Sequence, residues 1–131
     1  MPSTSLLEIN NLKKYFPVKK KSLLSPRQHL MAVDGVDLDL KPGETLGIVG
    51  ESGCGKSTLA KTIARLYDTT EGQIIFNQQD ISQMSQKQLR PLRTEIQFVF
   101  QDPYESLNPR HTVTTILEEP FLIHTSLTSI E

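Results

Sequence analysis

The chain has 131 residues, with 14 basic and 15 acidic side chains, a formal net charge of -1 and one cysteine, Cys54. A chain of this length predicts one compact domain. A net charge this close to zero gives no field that would draw the chain to nucleic acid or to an anionic membrane. Nucleic acid is therefore not expected as a partner, and function must come from a local site.

The cysteine usage and the amino terminus indicate a cellular compartment. One cysteine cannot form an internal disulfide, and Met1–Asn10 lacks the basic start and apolar run of a signal peptide. Both features fit a reducing cytoplasm. No run approaches the roughly 18 to 20 apolar residues that a helix needs to cross a bilayer, so a soluble chain is expected and any membrane role requires a spanning partner.

Two strands and a polar loop are predicted before the first glycine-rich turn. Leu6–Leu12 alternates weakly, and Val36–Leu40 alternates strictly between apolar residues and aspartates, as in a strand with one wet face. Between them, Pro17–His29 is predicted to be a loop. Its lysine run, Lys19–Lys21, is interpreted as a solvated charge run, with a binding patch as the alternative. Pro42-Gly43 is predicted to turn the chain.

The middle of the chain predicts a strand and then a helix. Thr45–Val49 is a nearly unbroken apolar run, as expected of a strand covered on both faces in a parallel sheet. From Lys56 to about Tyr67 apolar residues recur at helical spacing, with Lys61 and Arg65 together on another face. Further predicted elements are a strand at Gln73–Phe76, a polar helix near Gln86 disturbed by Pro91, a strand over Ile96–Phe100 and a helix over Val113–Glu119 before Pro120.

Between the predicted strand and helix, the sequence fits G-x-x-x-x-G-K-[ST] in full, which is the phosphate-binding loop, or P-loop. Its glycines let backbone N–H groups curl around a phosphate where side chains would clash. A glycine-rich turn that merely caps a helix is the alternative, and the flanking strand and helix argue against it. The residues predicted to bind nucleotide are Gly50, Glu51, Ser52, Gly53, Cys54, Gly55, Lys56, Ser57 and Thr58.

The motif also predicts individual roles. Lys56 is predicted to be a catalytic residue as well as a nucleotide ligand: its ammonium can reach the β and γ phosphates, beside the N–H groups and the positive dipole end of the following helix. Ser57 is predicted to place its hydroxyl on Mg²⁺, and Thr58 to lie near the α-phosphate. Cys54 is interpreted as a small filler, because a single cysteine has no redox partner. GTPases, kinases, helicases and transporter ATPases all hold phosphate in this way, so the motif does not separate them.

A second segment, Phe98–Arg110, resembles the Q-loop region of ABC transporter ATPases of the dipeptide and oligopeptide uptake group. The same group commonly has this P-loop sequence, preceded by segments similar to Ala32–Val36 and Pro42–Thr45, so the resemblance covers nearly the whole chain. It implies an α/β fold of the ABC ATPase type of P-loop NTPase, present in part: an amino-terminal antiparallel β subdomain, the start of the parallel core sheet and the Q-loop region. Residues 1–131 are then expected to be the amino-terminal part of one nucleotide-binding domain.

The resemblance implies two further site residues, with ATP and Mg²⁺ as cofactors. Gln101 would be the Q-loop glutamine, a catalytic residue whose amide oxygen can join the Mg²⁺ shell and whose loop reports the nucleotide state to transmembrane subunits. Phe16 would stack on the adenine ring, with Tyr15 as the second choice. The alternatives are that Gln101 is a surface glutamine ending a strand and that the aromatic ring is a core anchor.

Three family motifs do not occur in this sequence: the LSGGQ-type signature, a Walker B strand and a switch histidine. Thr115–Glu119 is the one apolar stretch that ends in paired acids, and it is rejected as Walker B because it has two strongly apolar residues and is followed by Pro120. The chain alone is therefore expected to bind nucleotide weakly and turn it over little. Exposed sheet edges and apolar faces are expected to make it marginally stable.

The function implied by the resemblance is that of an ATP-hydrolysing subunit of a peptide importer, peripheral on the cytoplasmic face of the membrane. Its implied partners are permease subunits, contacted through the Q-loop region, a second identical or homologous ATPase subunit and, indirectly, a substrate-binding protein. The alternatives are the same role for nickel or glutathione and a truncated, non-catalytic nucleotide-binding or docking module. A P-loop kinase or GTPase is disfavoured because the sequence contains no Asn-Lys-x-Asp.

Overall fold

The computed structural model describes residues 5–19, 26 and 28–125. The chain divides into two compact units, the first up to Ser85 and the second from Gln86 onward. Among the described residues, the first unit contains an antiparallel sheet and one helix, and the second contains two helices and two 3₁₀ turns.

The first unit is built on a four-stranded sheet with strand order β2-β1-β3-β4, in which every neighbouring pair is antiparallel. The predicted antiparallel subdomain is thereby confirmed, although β1 and β2 both run longer than their alternation indicated. The strands are β1 (Leu7–Pro17), β2 (His29–Leu40), β3 (Glu71–Phe76) and β4 (Gln79–Asp80).

The predicted polar loop, Pro17–His29, falls between β1 and β2, and its first and last residues belong to those strands. The Val18 N–H donates to the Gln28 carbonyl over 2.9 Å, so the two ends of the connection lie side by side. Lys19 is exposed. The rest of the lysine run, at 20 and 21, lies outside the described residues, as do 22–25 and 27.

The alternation predicted for β2 is confirmed. The apolar residues at 36, 38 and 40 are half-buried, whereas Asp37 and Asp39 are exposed. After β2 the chain turns at Pro42-Gly43, as predicted, and Gly43 has φ +76°, which favours glycine.

The hydrophobic core of the first unit lies between the sheet and the helix α1 (Lys56–Ile63). The helix contributes Leu59 and Thr62, which are buried. Ala64, directly after the helix, is buried too. Three strands and the segment after β4 supply the rest of the core, whose apolar members are Ile9, Leu12, Val33, Ile74 and Ile81.

Helix α1 ends one turn earlier than the sequence predicts. Arg65 has φ +53°, a left-handed conformation that cannot continue a right-handed helix. The N–H groups of Leu66 and Tyr67 then both bond to the Lys61 carbonyl, at 2.9 and 3.2 Å. These bonds satisfy a carbonyl at the helix end, so the stop is stabilised locally.

Arg65 is also misplaced by the sequence prediction, which put it with Lys61 on the polar side of the helix. Its exposure is 3%, and its guanidinium donates to the carbonyls of Ile81 and Met84, both at 3.0 Å. The guanidinium further bonds to the Tyr67 carbonyl at 3.1 Å. A fork of donors in fixed geometry explains why this long cation can be buried here.

The predicted buried strand at Thr45–Val49 is wrong for this structure. The segment is exposed throughout, Val49 by 92%, and it belongs to no sheet among the described residues. A strand requires a hydrogen-bonded neighbour, and a buried parallel strand requires one on each side. The apolar run is typical of a strand between two others, but no described segment pairs with it.

The second unit begins with α2 (Gln86–Leu89), followed by a 3₁₀ turn at Pro91–Thr94. The predicted polar helix and its disturbance by Pro91 are both confirmed. The predicted strand over Ile96–Phe100 is not formed, and Val99 is 89% exposed. As at Thr45–Val49, no neighbour is paired with it in the part of the chain that the structure describes.

A second 3₁₀ turn, Tyr104–Ser106, leads to the longest helix, α3 (Val113–His124). The prediction that this helix stops before Pro120 is wrong, because the helix continues through the proline. Proline lacks an N–H and so removes one hydrogen bond within the helix. The far end is closed by Thr125, whose N–H and hydroxyl both bond to the Phe121 carbonyl.

Candidate functional site

The P-loop joins the exposed segment after β2 to the start of α1. Two of its glycines have backbone conformations that other residues rarely adopt, with φ +82° at Gly53 and φ +101° at Gly55. These angles let the loop curl before the helix begins at Lys56. The first bond of the helix runs from the Leu59 N–H to the Gly55 carbonyl at 2.8 Å.

Gly55 is also the point where the loop rests on the sheet. A Cβ added there would lie 2.2 Å from the Ala32 carbonyl oxygen of β2, closer than any real contact. The absent side chain is therefore required by close approach as well as by φ. The helix and its loop are held at a fixed place against β2.

The amino terminus of α1 has an unusual cap. Gly55 occupies the capping position, where serine, threonine, aspartate or asparagine normally accept a hydrogen bond from the first turn. Glycine has no side chain to do so. The first N–H groups of α1 consequently lie beside the loop without a cap from that position, and they carry the positive end of the helix dipole.

Lys56 is folded over the loop. Its ammonium donates to the carbonyls of Gly50, at 2.7 Å, and of Glu51. Its Nζ also lies 3.6 Å from the Cys54 Sγ. A lysine ammonium has three protons, so the two carbonyls leave one, which the weak acceptor Cys54 Sγ takes in this structure. The bonds hold the charge at the concave side of the loop instead of leaving it on a mobile side chain.

Gly50 and Cys54 contact each other across the loop. A Cβ at Gly50 would lie 2.8 Å from the Cys54 Sγ, so a side chain at position 50 would displace the sulfur. Cys54 is exposed, and its N–H bonds to the Glu51 carbonyl at 3.4 Å. It shapes the loop surface and does not fill a buried space, which corrects that part of the sequence interpretation.

The two hydroxyl residues after Lys56 lie in the first turn of α1. Ser57 is exposed and Thr58 is half-buried. The Thr58 carbonyl accepts a 2.7 Å bond from the Thr62 hydroxyl within the helix. Both hydroxyls are thus at the same end of the helix as the loop N–H groups.

The candidate base-stacking residues lie in the second half of β1, on opposite sides of the sheet. The Phe16 ring meets the Tyr67 ring edge to face, with centroids 5.5 Å apart, and the Lys14 Nζ lies 4.9 Å from the Phe16 centroid. Sequence reasoning did not identify Lys14 as a neighbour of the ring. The signal was available, because residues two apart on a strand share a face.

Tyr15 is engaged on the other side. Its hydroxyl donates to the Asp34 carboxylate at 2.5 Å, and its N–H donates to the Thr70 hydroxyl at 2.9 Å. The hydrogen bond to Asp34 is the main reason why the pKa of Tyr15 lies above its ordinary value. Beside it, the hydrogen bond to Glu71 raises the pKa of Lys13.

Phe16 is linked to the P-loop through Ala32. Ala32 lies between Val33 and Met31, which pair with Lys14 and Tyr15 of β1. Its carbonyl is the group that Gly55 approaches. Paired strands are about 5 Å apart, so the end of the P-loop lies about one strand spacing from the part of β1 that carries Phe16.

Gln101 belongs to the second unit. It is exposed and lies outside the helices and strands. Directly after it, the Asp102 carboxylate accepts the Tyr104 N–H at 3.0 Å, which begins the 3₁₀ turn. Before it, the rings of Phe98 and Phe100 meet with centroids 4.9 Å apart. The glutamine thus follows a segment without regular secondary structure, and its side chain is exposed.

Two general features of the described residues bear on the site. No group of three or more histidine, cysteine, aspartate or glutamate side chains within them could hold a metal ion by itself. Over the same ranges, no helix has the length and apolar character needed to traverse a bilayer.

Comparison with known proteins identifies the class that this loop and fold define. Residues 33–127 match the ABC transporter family, and the chain belongs to that family. It is 53% identical over 128 residues to the oligopeptide transport ATP-binding protein AppF of Bacillus subtilis (strain 168), covering 97% of this chain and 39% of that protein. It is 47% identical over 122 residues to the dipeptide transport ATP-binding protein DppF of Escherichia coli (strain K12), covering 93% of this chain and 36% of that protein.

A solved structure supports the fold. The ATP-binding cassette MJ0796, in a dimeric post-hydrolysis state bound to ADP and Pi, is similar with a TM-score of 0.78 and 26% identity, over 95% of this chain and 50% of that chain. The α/β fold of the ABC ATPase type is thereby confirmed. The chain spans about two fifths of the length of the curated relatives above, at 39% and 36%.

Proposed function

We propose that this chain is the nucleotide-binding amino-terminal part of an ATPase subunit that energises ABC-type import of peptides. The observation that carries the proposal is the P-loop itself: a glycine-capped helix start docked on β2, with the Lys56 ammonium held over the loop. The identity to AppF supports the peptide class of cargo.

The phosphates would be held by the loop and by Lys56. The backbone N–H groups from Gly50 to Thr58 and the uncapped first turn of α1 supply donors and positive potential. Lys56 can keep its bonds to the Gly50 and Glu51 carbonyls while its third proton goes to a phosphate oxygen. The phosphate would displace only the weak contact with the Cys54 sulfur.

The base would stack on Phe16. The ring lies on the helix side of β1, about one strand spacing from the loop end, whereas Tyr15 is committed to Asp34 on the other side. Lys14 and Tyr67 contact the Phe16 ring and restrict its orientation. These contacts favour Phe16 over Tyr15 as the adenine platform.

Mg²⁺ fits the residues present. In phosphate sites Mg²⁺ keeps several waters and takes few protein ligands beside the phosphates, so a cluster of carboxylates is not required. The exposed Ser57 hydroxyl, in the first turn of α1, is a suitable ligand. When bound, the ion would neutralise charge on the phosphates.

We further propose the setting in which the full-length protein works. Two ATPase subunits, identical or homologous, would pair, as MJ0796 does in its dimeric structure. The Q-loop region around Gln101 would contact permease subunits, and a substrate-binding protein would act indirectly. The protein would be peripheral on the cytoplasmic face of the membrane and would hydrolyse ATP there.

The primary test is the affinity of the full-length natural protein for ATP, measured by calorimetry. Lys56→Ala should weaken binding on the order of 100-fold, because it removes the charge that meets the phosphates. Lys61→Ala removes an equal charge from the same helix, but that ammonium lies over the Tyr67 ring, so it should cost less than about fivefold. Unchanged affinity in Lys56→Ala would contradict nucleotide binding by this loop.

The cargo is tested separately, in vesicles containing the permease subunits and the binding protein. ATP-dependent uptake of a labelled oligopeptide, lost with Lys56→Ala, is the expected result. Uptake of glutathione or nickel with no uptake of peptides would overturn the peptide assignment and leave the ATPase role intact.

A further inference from the structure

Near Asn11, strand β1 contains one residue more than the facing stretch of either neighbouring strand. Towards β3, Asn10 pairs with Gln73 and Lys13 pairs with Glu71, so two β1 residues lie opposite Gly72. Towards β2, Ile9 pairs with Leu38 and Leu12 pairs with Val36, so two β1 residues lie opposite Asp37. Two further register shifts, between Leu12 and Tyr15, place the extra residues in β2 and leave the facing of β1 unchanged. An extra residue in one strand of an antiparallel pair is a β-bulge, and here it falls at Asn11.

The burial pattern shows the effect of the bulge. Ile9 and Leu12 are three residues apart, and in a regular strand they would face opposite sides of the sheet. Both are fully buried in the same core. The extra residue at Asn11 therefore reverses the alternation of every later residue in β1.

Three features hold the bulge in place. Asn11 has φ +48°, a conformation that asparagine tolerates better than most residues. Its N–H donates to the Asp37 carboxylate of β2 at 2.7 Å. On the other side, a Cβ at Gly72 would lie 2.3 Å from the Asn11 carbonyl oxygen, so β3 can approach only because position 72 is glycine.

The reversal decides which aromatic residue faces the helix. With the bulge, Lys14 and Phe16 lie on the core side of the sheet, where Phe16 meets Tyr67. Lys13 and Tyr15 lie on the other side and pair with acidic residues there. Without the extra residue the two sets would exchange sides, and Tyr15 would take the place of Phe16.

We infer that Asn11 and Asp37 are positioning residues for nucleotide recognition: the bulge they form turns Phe16 to the P-loop side and so sets the base-binding platform. The inference rests on the proposed function, because it assigns the structural origin of base recognition at the same site. It adds that part of the affinity for the base is controlled by two residues that contact no nucleotide.

A matched pair of variants at position 11 tests this in the full-length natural protein. Asn11→Gly tolerates φ +48°, whereas Asn11→Val strongly disfavours it, and both remove the same amide. Affinities for ATP and for inorganic tripolyphosphate are measured side by side. Their ratio reports the contribution of the base, and tripolyphosphate affinity alone reports the P-loop.

The expected result is selective. Asn11→Val should reduce the ATP-to-tripolyphosphate ratio about tenfold, the order of one lost aromatic–base stack, with tripolyphosphate affinity unchanged. Asn11→Gly should retain the ratio. Phe16→Leu should lower the ratio similarly, and the double variant Asn11→Val with Phe16→Leu should lose no more than either alone, because both act through one ring.

If Asn11→Val fails to fold, Asp37→Asn provides a second test of whether the bulge controls base affinity. It weakens the acceptor of the Asn11 N–H while keeping its shape, and it should lower the ratio in the same direction. Equal weakening of both ligands, or a ratio unchanged in Asn11→Val and Asp37→Asn, would overturn the inference. Failure of the proposed function looks different, because there Lys56→Ala would leave ATP affinity intact.

Discussion

The two compact units of this chain differ in how much apolar surface each buries. The first unit encloses a core drawn from three strands and a helix, with Leu12 and Ile74 fully buried. Of the side chains described from Gln86 onward, Leu89 is the one that is buried, while Val99, Leu117 and Phe121 are largely exposed. Buried apolar area is the main source of folding free energy, so it is concentrated in the first unit.

The difference also appears in how polar groups are satisfied. In the first unit Arg65 is buried and bonds to carbonyls from three separate positions. In the second unit hydrogen bonds are mostly local, such as the Thr112 cap of α3. The P-loop therefore lies on the unit whose packing and hydrogen bonds join segments distant in sequence. The hydrogen bonds of the second unit are mostly short-range.

The largest expected effect compares two leucines. Leu12→Ala, fully buried in the first unit, should lower the free energy of unfolding by about 3 kcal/mol, through lost burial and the cavity left behind. Leu117→Ala, 63% exposed on α3, should change it by less than about 0.5 kcal/mol. Urea denaturation measures both, and equal losses would contradict the contrast between the units.

The next prediction compares two arginines that both bond to carbonyls. Arg65→Ala should cost about 2 kcal/mol, because carbonyls in a buried region lose their donors. Arg90→Ala removes a bond to the Ile123 carbonyl from an exposed side chain, and should cost less than about 0.5 kcal/mol.

The conservative variant Arg65→Lys sharpens this comparison. Lysine keeps the charge but not the planar fork that reaches several carbonyls at once, so the loss should fall between those of wild type and Arg65→Ala. Full stability in Arg65→Lys, measured by the same denaturation, would show that charge alone suffices.

A third prediction concerns the two helix starts. Helix α3 is capped by Thr112, whose hydroxyl accepts the Thr115 N–H at 3.2 Å, whereas α1 begins at a glycine. Thr112→Ala should destabilise α3 by about 1 kcal/mol, seen as faster hydrogen exchange of its amides. Thr114→Ala, inside the same helix, is the control and should not speed exchange, since alanine has the higher helix propensity.

The smallest effect is a pH dependence in the first unit. The bond to Asp34 raises the pKa of Tyr15 above 10.0, so the fold favours the neutral phenol. This contribution is fully present below pH 10 and is lost as pH rises through the folded-state pKa. Phenolate absorbance should show a late-titrating tyrosine that Tyr15→Phe abolishes and that Tyr104→Phe, in the second unit, leaves in place.

Local pattern was sufficient to predict several parts of the fold, whereas the roles of the loop residues stay predictions. The P-loop from Gly50 to Thr58, the alternation of β2 and the turn at Pro42-Gly43 were all predicted from the sequence, and the family resemblance is confirmed by comparison. These features depend on neighbours within a few residues of one another. Glycine conformation, period-two burial and turn chemistry are set at that range.

Tertiary contacts decided the remainder. The apolar runs Thr45–Val49 and Ile96–Phe100 have strand-forming composition, but a strand exists only when another segment completes its hydrogen bonds. Helix α1 ends at Ile63 because Arg65 adopts a left-handed conformation. Its guanidinium donates to the carbonyls of Ile81 and Met84. No local sequence pattern predicts those two acceptors.

Strand β1, with its bulge at Asn11, contains both features set by local pattern and features set by tertiary contacts. The sequence predicted a strand with two aromatic residues near its end, and the family resemblance implied Phe16 as the stacking residue, with Tyr15 as the second choice. Which of the two rings faces the helix depends on one extra residue, fixed by a carboxylate on β2 and a glycine on β3. Those partners are distant in sequence and meet β1 only after the sheet has assembled, so the physical reason why Phe16 faces the helix lies in the tertiary structure.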